Sequence, residues 1–546
     1  GNGSSSLAGG KNGRPRTALG KRGEATTYKG PTAGEILSLY RTKISDTQEA
    51  RLRMLATNFR ILTRLDHAIT IPEAYRATTR EVRTPFIRDA HNRITASLTH
   101  NDWLVHLEPK SDADKDKRAS GIGERWIKAA FRSMDKDVEE DTPYEACKAM
   151  VRDSESIIKV VHRPDAWATF PTRSDEDADT YLDRATTYKK GNPLPFAWRC
   201  VDRLGVIPGD GEFGDEWFIE YGEYPRPYLK SRYGLAVDSR TQTLIPPEDI
   251  TPEDVLGGRP EPEGYLNSST GRAVKLEYWD RDWWCVVIDG RMAPDFPREN
   301  PYSPRLPYMR AKPDAEPDPV LYSLLFLVPR LDEVLTMWMN WAWLGAFPIP
   351  RLQDIPGTRY QPAGMLPLGD DSQPSAFTFS PGKFVEIPHG KHFDFLPPPP
   401  VGKDIMELGN LLRSLIDVAG IPSVFRGLNV SGDSGYLANQ MLGAVEMQYK
   451  RLARARARQL EKCIEFIYYL IPQRIKTTVY VMGQGQNGRE WLGLRPKGDV
   501  TATMAPIDRL GEVEVEVRPD MAVMQQARAM IARQLTEGPP GQRLDS

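Results

Sequence analysis

The sequence predicts an α+β chain built from several domains, and three observations carry that prediction. Apolar residues recur at helical spacing towards both ends of the chain. Between residues 195 and 310 that periodicity gives way to alternating Trp, Tyr and Val runs broken by Gly and Pro. The 46 prolines and 44 glycines punctuate the whole chain, so many loops must separate its elements. At 546 residues the chain exceeds one ordinary core, and 40% hydrophobic with 27% charged residues is the balance of a packed protein. A formal net charge of -2 excludes a generic polyanion binder.

Residues 1–31 carry six Lys/Arg, one Glu and almost no large apolar residues, which predicts a disordered basic arm. The chain opens on Gly1 rather than Met, as expected of a processed or trimmed chain, and no signal peptide is expected. From Thr32 to Asp66 the spacing of Ile36, Leu37, Tyr40, Ile44, Leu52, Leu55, Phe59 and Leu62 is helical. A helix is expected from 84, with Phe86, Ile87, Ala90, Ile94 and Leu98 on one side, running into a strand at "WLVHLEP". A helix at 121–134 and a strand at 155–164 follow. "AVKLEYWDRDWWCVVIDGRM" reads as a hairpin with strands near 273–279 and 283–288. Next come a very apolar helix at 320–346, an irregular Pro/Gly-rich β segment at 347–401, and a helix at 403–419 stopped by Gly420-Ile421-Pro422. A long helix is expected from about Tyr436 to Ile471, ended by Pro472, then a small β region at 477–518 and a last helix at 521–535.

Cys147, Cys200, Cys285 and Cys463 are scattered, with no CxxC, so neither a disulfide framework nor a zinc cluster is expected, and a reducing compartment, or one indifferent to redox state, fits. The apolar stretch 320–347 is interrupted by Pro329, Arg330, Asp332 and Glu333, so neither half is long enough to span a membrane.

Two motifs invite an enzymatic reading. Gly432-Asp433-Ser434-Gly435 spells the tetrapeptide around the nucleophile of trypsin-like proteases. That chemistry needs a His base and an Asp beside the serine. None of the seven histidines (His67, His91, His100, His106, His162, His389, His392) sits in the family's "AAH" context, and the serine lies between two helices rather than in an all-β fold. An N-cap by Asp433 or Ser434 on the following helix is the simpler role. "GQGQNG" (483–488) fits G-x-G-x-x-G, but "REWLGLRP" is too short for the helix that must hold a pyrophosphate, and reads as the return strand of a hairpin. His389 and His392 sit on a Pro/Gly loop with no helical scaffold for a metal; Asp370 with Asp371 form one acidic loop and Asp112, Asp114 and Asp116, mixed with lysines, another, both read as solvated faces, and no Walker motif occurs. No cofactor is expected.

The segment "QYKRLARARARQLEK" (448–462) crowds Lys450, Arg451, Arg454, Arg456, Arg458 and Lys462 onto one helix. At 100° per residue, Arg451, Arg454 and Arg458 share a face and Arg456 points elsewhere. Salt bridging to acidic neighbours, contact with a neighbouring subunit, and phosphate contact are all compatible with that face.

The order of elements resembles that of the portal (head–tail connector) proteins of tailed bacteriophages. "RDAHNRITASLT" with "WLVHLEP", "SESIIKVVHRPD", "AGIPSVFRG" with "SGYLANQ", and "VEVEVRPDM" with "QQARAMIARQL" carry the resemblance, which covers roughly 33–540. It implies a portal fold. Residues 32–319 would form an α/β wing, 320–346 and 402–425 the two stem helices, and 347–401 a small β-containing clip. Residues 426–436 would be a tunnel loop, 437–518 the long kinked helix and wing return strands, and 519–546 a crown shorter than the family's usual helical barrel.

The resemblance further implies a non-enzymatic ring, usually of twelve subunits, at one capsid vertex. Double-stranded DNA would pass through it without sequence recognition. Terminase, the head–tail adaptor, and the major capsid and scaffolding proteins would be its partners. The location would be the virion, and the host cytoplasm during assembly, with no membrane involved. The DNA-facing residues would be Leu428, Asn429, Val430, Ser431, Gly432, Asp433, Ser434 and Gly435, which carry no cation and so offer little phosphate affinity. Trp338, Trp341, Trp343, Arg451, Arg454 and Arg458 are the subunit-interface candidates. Another minor capsid or assembly protein, or a serine hydrolase using Ser434, are the alternatives.

Overall fold

Where the sequence spaces apolar residues by three and four, the chain is helical; where Val, Trp and Tyr crowd between turn residues, it is extended. The computed structural model describes residues 30–43, 58, 60–61, 69, 71, 79–99, 102–167, 177–212, 214–237, 244–245, 272–313, 321–346, 350–354, 391–395, 403–419, 435–485 and 488–517. In chain order the helices are α1 (Ala33–Lys43), α2 (Phe86–Thr99), α3 (Asp114–Val138), α4 (Thr142–Asp153), α5 (Ala178–Gly191), α6 (Arg226–Tyr233), α7 (Tyr322–Ala346), α8 (Lys403–Ala419) and α9 (Gly435–Leu470). The longer strands are β1 (Leu104–Pro109), β2 (Ser156–His162), β3 (Phe196–Val201), β4 (Val206–Gly211), β5 (Gly214–Pro225), β6 (Arg272–Asp280), β7 (Trp283–Ile288), β8 (Tyr308–Ala311), β9 (Pro350–Asp354), β10 (Lys391–Phe395), β11 (Val479–Gly485), β12 (Gly488–Arg495) and β13 (Leu510–Glu516). The fold class is mixed α+β. By internal contacts the chain divides into one unit of residues 1–43 with 208–306 and a second of 44–207 with 307–546.

In the first unit β5, β6 and β7 form successive antiparallel pairs. The turn after β7 is Asp289-Gly290, with φ of 48° and 82°. Two consecutive left-handed residues make the tight hairpin turn whose twist matches its strands, and Gly is there because φ is positive. Trp279 stacks on Trp284 at 4.8 Å and on Tyr302 at 5.5 Å, between ring centroids. Leu229 of α6 packs with Ala273, Val286 and Ile288 beneath them.

In the second unit an early strand pairs with a late one. "WLVHLEP" and "GEVEVE" pair antiparallel as β1 and β13, Val105 opposite Val515 and Leu107 opposite Val513. The alternation of those strands puts Val105, Leu107, Val513 and Val515 inside and His106 and Glu514 outside. Helix α3 lies on this pair, and its Glu124 accepts a hydrogen bond from Leu107 N at 2.9 Å. Trp126 of α3, fully buried, donates to Val479 O of β11 at 3.0 Å. Strands β8, β2 and β3 form a second antiparallel sheet. Helix α9 packs on β2, β8 and β13, burying Leu452, Leu460, Ile464, Ile467 and Leu470.

Most expected elements stand close to their expected bounds. The helices at 403–419 and about 436–471, the 273–288 hairpin and the strand at 155–164 recur as α8, α9, β6 with β7, and β2. "GQGQNG" joins antiparallel β11 and β12, Gly485 opposite Gly488, so it is a hairpin connection and not a phosphate-binding turn. Corrections concern the helices. The helix expected at 121–134 extends over 114–138, so Asp114 and Asp116 form its first turn rather than a loop, where carboxylates complement the helix dipole. Asp116 is buried rather than solvated, accepting from Arg509 Nη1 at 3.1 Å. Helices α4, α5 and α6 were not expected. Arm 1–29, most of 44–78, most of 347–401, His67, His100, His389, Asp370 and Asp371, the helix expected at 521–535 and the crown expected at 519–546 lie outside the described residues.

Candidate functional site

The most unusual surface belongs to α7 and α8, which pack against each other. Both sequences carry more apolar residues than one face can hold. The inward stripe of α7, Leu324, Val328, Leu331 and Val334, joins Leu412 and Ile416 of α8 in the main core. Trp338 is half-buried in the pair, with its ring 3.2 Å from where a Cβ on Gly409 of α8 would stand, so the glycine admits the indole. What remains is a second apolar stripe. Tyr322, Phe326 and Met337 of α7, and Leu408, Leu411 and Leu415 of α8, each fall within about 60° on their helix and are 42–67% exposed, while the exposed Met339 and Met406 stand on other faces. Large apolar side chains left exposed on two helices that pack together mark an interaction face.

The polar side of α7 is committed to the chain itself. Asp332, Thr336 and Asn340, one helical turn apart, hold the backbone of residues 80–84. Thr84 donates to Asp332 through its N–H at 3.0 Å and its hydroxyl at 2.7 Å, and Val82 N donates to Thr336 Oγ1 at 3.0 Å. Arg80 N donates to Asn340 Oδ1 at 2.9 Å, and Asn340 Nδ2 donates back to Arg80 O at 3.1 Å. The Arg80 guanidinium lies over the Trp343 ring, 5.4 Å from its centroid. Trp341 and Trp343 are 37% and 39% exposed.

Helix α9 divides its cations between two faces, as the 100° rule requires. Arg451, Arg454, Arg458 and Lys462 are exposed along one stripe, whereas Arg456 is 4% exposed on the opposite side. Arg456 Nη1 donates to Gln459 Oε1, and Gln459 is itself held by Ser156 O at 3.0 Å and Met309 O at 2.8 Å. Beside them Glu155, fully buried, bridges Arg203 and Arg310; Arg310 Nη2 lies 2.7 Å from Glu155 Oε2, and Arg203 Nε donates to Oε1.

The described titratable groups are arranged for packing. Burial pushes the thiols of Cys147, Cys200, Cys285 and Cys463 up to about 12, and all four are free of disulfides. Burial lowers His91, whose Nε2 donates to Lys148 O at 3.0 Å. Burial raises Asp135 to about 6, against hydrogen bonds from Thr142 N at 3.2 Å and Trp198 Nε1 at 2.9 Å. Among the described residues no group of three His, Cys, Asp or Glu is placed to hold a metal ion, and no helix is long and apolar enough to cross a membrane.

Of the residues singled out in the sequence, Trp338, Trp341 and Trp343 fall on α7 and Arg451, Arg454 and Arg458 on one exposed face of α9. Residues 428–434, including Ser434, and the N-cap assigned to them lie outside the described residues; Gly435 is the first residue of α9. The exposed stripe of α8 was not singled out, although Leu408, Leu411 and Leu415 beside Leu412 and Ile416 signal a helix apolar on two sides. No protein-family model and no curated protein matches this chain.

Proposed function

We propose that the chain is a portal protein of a tailed-phage capsid, a non-enzymatic subunit that closes into a ring, of twelve copies on the family pattern, around double-stranded DNA. One observation carries the reading: α7 and α8, at the positions of the two stem helices in the family resemblance, present eight large side chains 42–67% exposed. A ring requires each subunit to offer a face to its neighbour by rotation, and an interface between folded proteins takes about 800 Å² from each partner. A helix pair apolar on its core side and again on its outer side has that form.

In this reading α7 and α8 are the stem, 347–401 the clip that docks terminase and later the adaptor, and 428–435 the loop that meets DNA. The remaining α/β parts are the wing and 519–546 the crown, with major capsid and scaffolding proteins around the ring. The cations Arg451, Arg454 and Arg458 would face a neighbouring subunit. The protein would act in the virion, after assembly in the host cytoplasm, without a cofactor. The order of elements supports the same reading, as does a net charge of -2, since a strongly basic lining would retain phosphates.

The test is direct. Negative-stain images of the purified chain should show rings with a central hole, and Phe326→Glu with Leu411→Glu should reduce them to folded single subunits. Rings that survive both charges would refute the assigned face, and a wild-type chain that stays monomeric would refute the portal reading. Deleting 428–435 should leave rings intact and impair packaging. A serine-reactive probe that labels Ser434 would favour the hydrolase alternative.

A further inference from the structure

The outward face of α9 carries charge of one sign. From Lys450 to Lys462 every exposed residue is a cation (Lys450, Arg451, Arg454, Arg458 and Lys462), and the residues between them are buried or, at Glu461, half-buried. Glu461 serves the chain itself, accepting from Val515 N at 3.0 Å. Among the described residues no carboxylate pairs with Arg454, Arg458 or Lys462. These three stand at successive four-residue steps, a spacing at which like charges repel.

The turn between α3 and α4 carries the opposite sign. Residues 135–141 read "DKDVEED", and Asp137, Glu139, Glu140 and Asp141 are exposed. Asp141 caps α4, accepting from Tyr144 N at 3.0 Å. Asp137, Glu139 and Glu140 instead crowd the C-terminal end of α3, where the helix dipole disfavours carboxylates. Glu139 also takes a left-handed φ of 58°, a conformation that favours glycine. Of the cations near them, Arg132 is paired with Asp102 at 2.5 Å, and Arg163 reaches Asp137 only through its field. Lys128 and Lys136 remain, and the turn is net acidic.

The two surfaces face away from each other. Arg456 and Leu460 line a cavity whose wall includes Glu139, Glu140 and Asp141, so the acidic turn lies on the inner side of α9. Arg454 and Arg458, two positions either side of Arg456, stand about 160° round the helix from it. One copy cannot satisfy one surface with the other, whereas a second copy can, and a face that meets a different face on its neighbour repeats by rotation. We propose that the cation stripe of α9 docks the acidic turn 137–141 of a second copy, head to tail. The proposal rests on the ring reading above and names two of the surfaces that meet in it. Charges that repel within one copy become complementary between two, which sets the direction and register of the contact.

The test reverses these charges in the full-length chain and follows assembly by analytical ultracentrifugation, with circular dichroism to show that each variant is folded. Arg454→Glu with Arg458→Glu, and separately Glu139→Lys with Glu140→Lys, should each raise the concentration of half-assembly at least about tenfold, because attractive pairs become repulsive. An equimolar mixture of the two variants should recover assembly, since every stripe then meets a turn of opposite sign in an alternating ring. If a reversed variant does not fold, Arg454→Gln with Arg458→Gln should weaken assembly in the same direction, and added salt should weaken that of the wild type. Half-assembly unaltered by either reversal, or folded variants that stay dissociated when mixed, would overturn the proposal and leave the ring reading standing. A wild-type chain that never assembles would overturn both. Loss of binding to a double-stranded DNA fragment on reversing the stripe, with assembly unchanged, would assign those cations to phosphate and overturn the proposal as well.

Discussion

Glu155→Gln is the most demanding test of the core of the second unit. The carboxylate is fully buried and bridges two guanidiniums whose side chains are 1% and 3% exposed. Removing its charge leaves both arginines buried beside a neutral amide. Breaking one buried ion pair by deleting a partner costs about 3–5 kcal/mol. Two are broken here, but they share one carboxylate and are not additive, and the amide oxygen still accepts one hydrogen bond worth about 1 kcal/mol. The expected loss is therefore at least about 3 kcal/mol, a large part of the roughly 5–15 kcal/mol that holds a folded domain. In urea titrations followed by far-ultraviolet circular dichroism, the midpoint of the unit's transition should fall by about 1 M or more, with its slope unchanged. Replacing all three residues by Met should recover much of the loss, because an apolar core needs no counter-charge. A Glu155→Gln midpoint indistinguishable from wild type, or a triple variant weaker than the single one, would refute the reasoning.

Other expectations follow from the same geometry. Asp332→Ala should release residues 80–84 from α7 and cost about 1–3 kcal/mol locally, seen as faster tryptic cleavage after Arg80 and Arg83. Asp135 has its folded value raised to about 6, so the native state holds the proton more tightly than the unfolded chain, and stability falls as pH rises from about 4 through 6. Asp135→Asn keeps the acceptor for Thr142 N and Trp198 Nε1 and should flatten that decline; an unaltered pH profile would show that Asp135 is not its source. Phe326→Glu and Leu411→Glu lie on exposed surface and should shift the unfolding midpoint of the isolated subunit little, within about 0.5 kcal/mol, while abolishing assembly. Loss of subunit stability of several kcal/mol would instead place that face in the subunit's own core.

How far these features can be read from sequence depends on which physical term governs each. Helix α8 is legible because apolar spacing, a breaker at Gly420-Ile421-Pro422 and length all agree. The split of the α9 arginines follows from helix geometry alone. Helix α5, "ADTYLDRATTYKKG", was missed because its face is mostly polar and threonine-rich, so periodicity is weak, although Asp177 caps it through Thr180 N. Helix α4 carries the stronger signal of Asp141 as cap and Pro143 in the first turn, which went unread. The pairing of β1 with β13 is invisible to local pattern, because alternation says which face of a strand is buried and nothing about its neighbour. The anchoring of Gln459, which receives Arg456, is equally non-local: Ser156 of β2 and Met309 of β8 supply the carbonyls that hold it.

The pairing of β1 with β13 also sets a clock. Leu104 meets Glu516, so about 400 residues separate the partners, a span that takes on the order of 20–80 s to synthesise at about 5–20 residues/s. Until residue 516 has left the ribosome, β1 lacks its antiparallel partner and α3 has only part of the surface it packs on. The helices α7 and α8 emerge well before then, with their apolar outer faces already complete. The chain thus exposes the apolar outer faces of α7 and α8 before its framework can close, and if those faces join copies of the chain, as proposed, nascent chains must be kept apart for that interval.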